Sequence, residues 1–188
     1  MNPLLKHAIL RSYVREYPEN EERRKLEDYR MIRSRIIGTG SYLPEKILTN
    51  HDLEKLTDTN DEWIRQRTGI EQRHIVAEGE GTSDLGARAA LRAIESAGVK
   101  PSDIDLVVCS TMTPDYVFPS ASCLIQHKIG ARHAAAVDVQ AACTGFIYGL
   151  SVVDAFIRSG VYKTILLVGA DIMSNRLIWE NRDTAVLF

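Results

Sequence analysis

From Met31 onward, short apolar runs alternate with stretches of helical periodicity, and this alternation restricts the chain to a layered α/β architecture. Ile36-Ile37-Gly38 closes a first strand. Residues 105–110 (DLVVCS), 134–139 and 163–170 (KTILLVGA) read as further strands, the last being the most strand-like run present. Between them, helical patterns cover residues 83–97 with Gly98 as the stop, 120–129 ended by Gly130, and 144–159 closed by Gly160. Thr59 and Glu62 have the spacing of a capping box, which predicts a helix starting at Thr59. Weak alternation over residues 69–76 predicts a strand, and TAVLF at 184–188 predicts another. There is no internal repeat and no low-complexity tract.

A chain of 188 residues can form one substantial domain or two small ones, and one of this size buries roughly 70% of its unfolded surface without metal or disulfide support. With 45% hydrophobic residues, disorder is excluded as the main state. The formal net charge of -2 argues against a nucleic-acid partner, whose phosphates call for a basic face. Three cysteines, Cys109, Cys123 and Cys143, lack CxxC spacing and form neither a disulfide framework nor a zinc site. A reducing, cytoplasmic setting is therefore expected. No apolar run reaches about 18 residues, so no membrane-spanning helix is expected. The first fifteen residues hold Lys6, Arg11 and Arg15 and no acid, as organelle transit peptides do. Glu16, Glu19, Glu21 and Glu22 follow at once, which favours an added solvated helix or an upstream start codon.

Gly38-Thr39-Gly40 follows a strand and invites a dinucleotide-binding reading. The third glycine of that fingerprint falls at Leu43, with Pro44 where a helix should open, so a tight strand-to-loop turn is expected instead. Cys143, in VDVQAACTGFIYGL, lies between a strand and the first turn of a helix. Exposed amides and the positive dipole end favour a thiolate at such a place, and the small neighbours Ala141, Ala142 and Gly145 leave room for a substrate. A core thiol is the competing reading of Cys143. Cys109 in a buried strand and Cys123 on a short helix read as inert small hydrophobes. Trp63 and Arg67 stand four apart in DEWIRQRTGI, an aromatic plate beside a guanidinium that suits a purine with phosphates nearby. A partly buried tryptophan beside a snorkelling arginine is the competing reading. Arg182, near Trp179, repeats the pairing.

Together, IIGTGSYLPE, TNDEWIRQRTGIEQRHI, FPSASCLIQHKIG, VDVQAACTGFIYGL, KTILLVGADIMS and TAVLF resemble the β-ketoacyl-acyl carrier protein synthase III family, the initiating condensing enzymes of bacterial-type fatty acid synthesis. The resemblance implies a thiolase fold, two similar βαβαβ-type halves stacked in five layers and assembled as a homodimer. Residues 31–188 then form the N-terminal half, residues 1–30 an extension outside the match, and the C-terminal half is missing. The resemblance makes Cys143 the acyl-accepting nucleophile. It makes Trp63 and Arg182 the pair that sandwiches the adenine of coenzyme A, with Thr59 and Arg67 contacting the same molecule, and it places Phe118 across the dimer in the partner's acyl pocket. The implied substrates are a short acyl-CoA, acetyl-CoA foremost, and malonyl-acyl carrier protein, with no metal or redox cofactor. The family's catalytic histidine and asparagine belong to its second half, and none of His51, His74, His127 or His133 stands in that histidine's motif. Another thiolase-like condensing enzyme, such as hydroxymethylglutaryl-CoA synthase, is one alternative. A non-catalytic half that binds only CoA or a partner chain is the other.

Overall fold

The computed structural model describes residues 7–13 and 32–188. A five-stranded sheet is built from β1 (His7–Tyr13), β2 (Arg33–Gly40), β5 (Leu106–Ser110), β6 (Ala135–Val139) and β7 (Thr164–Gly169) in the order β2-β1-β7-β5-β6. β5 is parallel to both β6 and β7, while β1 is antiparallel to both β2 and β7. A separate antiparallel pair, β3 (Lys46–Thr49) and β4 (Gln72–Ile75), carries α1 (Asn50–Leu53) and α2 (Asp61–Thr68) between its strands. The remaining helices are α3 (Thr82–Ala97), α4 (Ala121–Lys128), α5 (Gly145–Arg158) and α6 (Arg182–Ala185).

Helices cover both faces of the large sheet. On one face Ala90, Ala93 and Ile94 of α3 and Ile125 of α4 pack against Ile9, Val107, Leu166 and Val168. On the other, Val153 and Ile157 of α5 pack against Leu10, Val108, Ile165 and Leu167. Parallel strands covered on both faces carry near-continuous apolar runs, which is why LVVCS and TILLVG were readable as strands. Gly98 closes α3 in the left-handed conformation, as its position in the sequence suggests.

Four expectations change. The helix expected from Thr59 starts at Asp61, because Asn60 takes the cap and its side chain accepts from the Trp63 amide at 2.8 Å. Gly38-Thr39-Gly40 is not a turn but the end of β2. A Cβ on Gly38 would lie 2.5 Å from the Ala93 carbonyl oxygen, so the glycines let α3 press onto the strand. TAVLF is not a strand. Asn181 caps α6, accepting from the Asp183 amide at 3.0 Å, and the Ala185 amide closes a turn onto the Asn181 carbonyl at 3.0 Å. Finally, the solvated helix expected before Met31 is contradicted at His7–Tyr13, a strand whose Ile9 is fully buried. Residues 1–6 and 14–31, which include Lys6, Arg15 and the acidic run Glu16, Glu19, Glu21 and Glu22, lie outside the described residues.

Candidate functional site

Cys143 is exposed on a single 3-10 turn, Ala142–Thr144, that joins β6 to α5. Ala142 holds φ at 45°, the one positive φ outside glycine among the described residues. A side-chain-bearing residue held there marks strain that the surrounding fold must support. That support is visible. The Thr144 hydroxyl donates to the Ala141 carbonyl at 2.8 Å, and the buried Ser110 hydroxyl donates to the Gly145 carbonyl at 2.8 Å. Gly145 and Gly149 bring the first turns of α5 against β5 and β7, so closely that a Cβ on Gly149 would sit 2.7 Å from both Leu167 Cδ1 and Ser110 Oγ. The unsatisfied amides and dipole of a 14-residue helix thus open beside Cys143. Asp138, at the end of β6, accepts from the Ala121 and Ser122 amides at 2.9 and 2.8 Å and fixes the start of α4 to the same strand.

The other two thiols differ from each other. Cys109 is fully buried, and burial, followed by the nearby carboxylates of Asp138, Asp171 and Asp115, pushes its thiol well above the ordinary range. It lies buried in its strand, as expected. Cys123 was expected to be equally inert, but it is exposed on α4. It lacks the strained turn that carries Cys143.

The structure brings Trp63, Arg67 and Arg182 together. The Arg182 guanidinium carbon lies 4.3 Å from the Trp63 ring centroid and that of Arg67 lies 5.2 Å from it. Among the described residues, neither arginine has a carboxylate partner. Arg182 stacks directly on Trp63, so a flat ring enters between them only if Arg182 swings outward. Two buried polar atoms lack any hydrogen-bond partner among the described residues, Thr59 Oγ1 and Arg182 Nε. Both belong to residues singled out from the sequence. A buried unpaired polar atom costs about 1–3 kcal/mol, and a polar ligand can recover that cost.

Sequence reasoning missed what fastens this cluster. The buried Arg73 donates from Nε to the Phe188 carbonyl at 2.8 Å and from Nη2 to the Val186 carbonyl at 3.4 Å, and from Nη1 closely to Asn50 Oδ1. Asn50 in turn donates to Asp61 Oδ1 and to the Ile70 carbonyl, each at 2.8 Å. Burial lowers the Arg73 pKa from its ordinary value. Leu53, Ile64, Ala185 and Val186 form the small core beneath, with Trp63 and Trp179 packed against it.

Phe118 lies on the loop between β5 and α4. It is 89% exposed, next to the exposed Val117 and Tyr116. Met112, Tyr116, Val117, Gln140, Met173 and Arg176 line an open cleft of about 590 Å³ beside this loop. Cys143 is not among its lining residues. His51 and His74 are engaged elsewhere, by Glu54 Oε1 at 3.2 Å and by the Pro44 carbonyl at 2.5 Å. Among the described residues no group of three His, Cys, Asp or Glu side chains is placed to hold a metal ion, and no helix is long and apolar enough to cross a membrane.

A mixed sheet covered on both faces, with a cysteine at a strained strand-to-helix junction, is the arrangement of the thiolase-like fold, and solved structures agree. The chain superposes with a TM-score of 0.78 on 3-oxoacyl-(acyl-carrier-protein) synthase III from Aquifex aeolicus, at 47% identity over 81% of this chain and 49% of that one. It superposes with a TM-score of 0.79 on the priming β-ketosynthase of the R1128 polyketide biosynthetic pathway, at 38% identity over 82% of this chain and 46% of that one. Residues 137–188 match the family described as 3-oxoacyl-(acyl-carrier-protein) synthase III. The β-ketoacyl-(acyl-carrier-protein) synthase III of Xylella fastidiosa is 57% identical over 157 residues, which is 84% of this chain and 48% of that protein. Over 84% of its length the chain matches proteins of the β-ketoacyl-acyl carrier protein synthase III family, and the partial coverage of those proteins fits their N-terminal half. It spans about half the length of the curated relatives it matches.

Proposed function

We propose that this chain carries the acyl-accepting half of a β-ketoacyl-acyl carrier protein synthase III. Cys143 Sγ attacks the thioester carbonyl of a short acyl-CoA, acetyl-CoA foremost; the carbon–sulfur bond to CoA breaks, and CoA leaves as its thiol. The Cys143 amide contributes to the oxyanion hole for the tetrahedral intermediate. In the second stage malonyl-acyl carrier protein loses CO2, and its carbanion takes the acyl group to give the 3-ketoacyl product. The resemblance assigns that stage to a histidine and an asparagine outside these residues. Every step is acyl transfer or decarboxylation, so no electron carrier or metal is called for.

The observation that carries this reading is the exposed Cys143 on a turn strained at Ala142 and braced by Ser110 and the α5 glycines. Trp63 and Arg182 take the adenine of CoA, with Thr59 and Arg67 beside them. In support, these side chains offer an aromatic face and, among the described residues, two guanidiniums free of carboxylates and two unpartnered buried polar atoms. A homodimer formed along β6 fits the sheet order, because β6 ends the sheet and leaves Ala135 and the 40%-exposed Val137 uncovered. Phe118 then reaches into the partner's acyl pocket. The exposed Ile147 and Tyr148 of α5 suit contact with the family's second half. The assembly works in the cytoplasm.

A second reading, acyl transfer without condensation, is favoured for these residues alone because no histidine hydrogen-bonds to Cys143 among the described residues. The assay is 3-ketoacyl product from acetyl-CoA and malonyl-acyl carrier protein, with the chain alone and co-expressed with a relative's C-terminal half. Product is expected only in the second case. Turnover by the chain alone at a relative's full rate overturns the assignment of condensation to the family's C-terminal half.

A further inference from the structure

β1 precedes Met31, where the family's motifs begin, yet it stands inside the sheet rather than at its margin. It pairs antiparallel with β2 from His7↔Gly40 to Tyr13↔Arg33, and with β7 from His7↔Val168 to Arg11↔Thr164. Both neighbours are family segments, IIGTG and KTILLVGA. Among the described residues β1 is the only strand that β2 pairs with. Without β1, β2 and β7 would face each other across an open slot, each with a row of unpaired amides and carbonyls in the covered interior of the sheet. Such groups are almost always paired in folded proteins. Ile9 fills the face under α3 and Leu10 the face under α5, so the slot demands apolar side chains at two successive positions. Among the described residues no other strand occupies this place. Relatives share the fold at TM-scores of 0.78 and 0.79 while matching this chain over less than half their length.

We propose that His7–Tyr13 is a built-in complementing strand. It occupies a strand-acceptor slot between β7 and β2 that no other strand among the described residues fills. The recognition is β-augmentation, with ladder hydrogen bonds on both sides and two buried anchors, Ile9 and Leu10. The fit to β7 is regular over five pairs, whereas the register against β2 skips Ile37. The slot therefore belongs to a general antiparallel apolar strand, and the N-terminal segment meets that description.

Hydrogen exchange on the intact 188-residue chain, read by mass spectrometry, tests this directly. Amides of residues 7–13 should exchange at least about a hundredfold more slowly than in a free peptide, as amides in core strands do. In Ile9→Asp, protection should fall in 7–13 and in β2 while β5 and β6 keep theirs. Because that variant can misfold, a second measurement is independent of it. In a Cys123→Ser/Cys143→Ser background, Leu10→Cys with Ile165→Cys should form a disulfide on mild oxidation, since the two positions face each other across β1 and β7. Free-peptide exchange over 7–13, or an uncrosslinked pair in folded protein, overturns the proposal.

Discussion

Gly149→Ala sets two opposing effects against each other at the helix that presents Cys143. Gly149 lies in the interior of α5, where alanine gains about 1 kcal/mol over glycine in helix propensity. Against that gain, the new methyl would lie 2.7 Å from Leu167 Cδ1 and 2.7 Å from Ser110 Oγ. Leu167 is fully buried in the central strand β7, and Ser110 is held by its hydrogen bond to Gly145. Overpacking of this kind costs about 1–3 kcal/mol, and breaking the Ser110 bond adds about 1 kcal/mol. The net effect is a destabilisation of about 1–3 kcal/mol. For a chain of this length that lowers Tm by about 2–12 °C. Calorimetric unfolding of the two proteins measures it. An unchanged or raised Tm would mean that α5 has room at Gly149, and would remove the close packing argued to brace the Cys143 turn.

Three further outcomes follow from the site and the core. Trp63→Ala should weaken CoA binding by about 1–3 kcal/mol, or about 5–150-fold, by analogy with lost base stacking. Titration calorimetry giving an unchanged affinity returns Trp63 to a packing role. Alkylation of the native chain should label Cys123 and Cys143 but not Cys109, which is buried; labelling of all three before unfolding would contradict the core described here. Cys109 also makes stability depend on pH. Its folded pKa is raised above the ordinary 9.0, so its contribution is complete below that value and is lost as pH rises toward the folded one. The Tm of the wild type relative to Cys109→Val should therefore be constant below about pH 8 and fall above about pH 9. A flat difference across that range would mean the thiol is not protected by burial.

Much of the fold was legible because buried parallel strands and amphipathic helices repeat one signal over many residues. LVVCS, TILLVG and the α3 pattern ending at Gly98 emerged within a residue or two of their observed bounds. The misses share a physical cause, namely that contacts distant in sequence decided the local structure. HAILRSY is short and charged around its two anchors, and only the open slot between β7 and β2 makes it a strand. TAVLF has strand composition, but the Asn181 cap and Arg73 reaching the Val186 and Phe188 carbonyls settle it otherwise. The glycines of IIGTG looked like a turn until α3 was seen to press on them. At the site, Cys143, Trp63 and Arg182 carried chemistry in their residue types. Arg73 and Asn50 did not, because a buried arginine reads as a surface one until its carbonyl partners are placed. Ser110 was likewise invisible, since its use depends on the packing of α5 onto β5.

The central claim is that Cys143 is the acyl acceptor, and covalent mapping after incubation with acetyl-CoA tests it most directly. Intact mass followed by peptide mapping should find one acetyl group, on the peptide that holds Cys143. The adduct should disappear in Cys143→Ala while the variant keeps its fold by circular dichroism. Cys123, equally exposed but away from the strained turn and the α5 N-terminus, is the internal control and should stay unmodified. An acetyl group on Cys123, or one that persists in Cys143→Ala, would contradict the account.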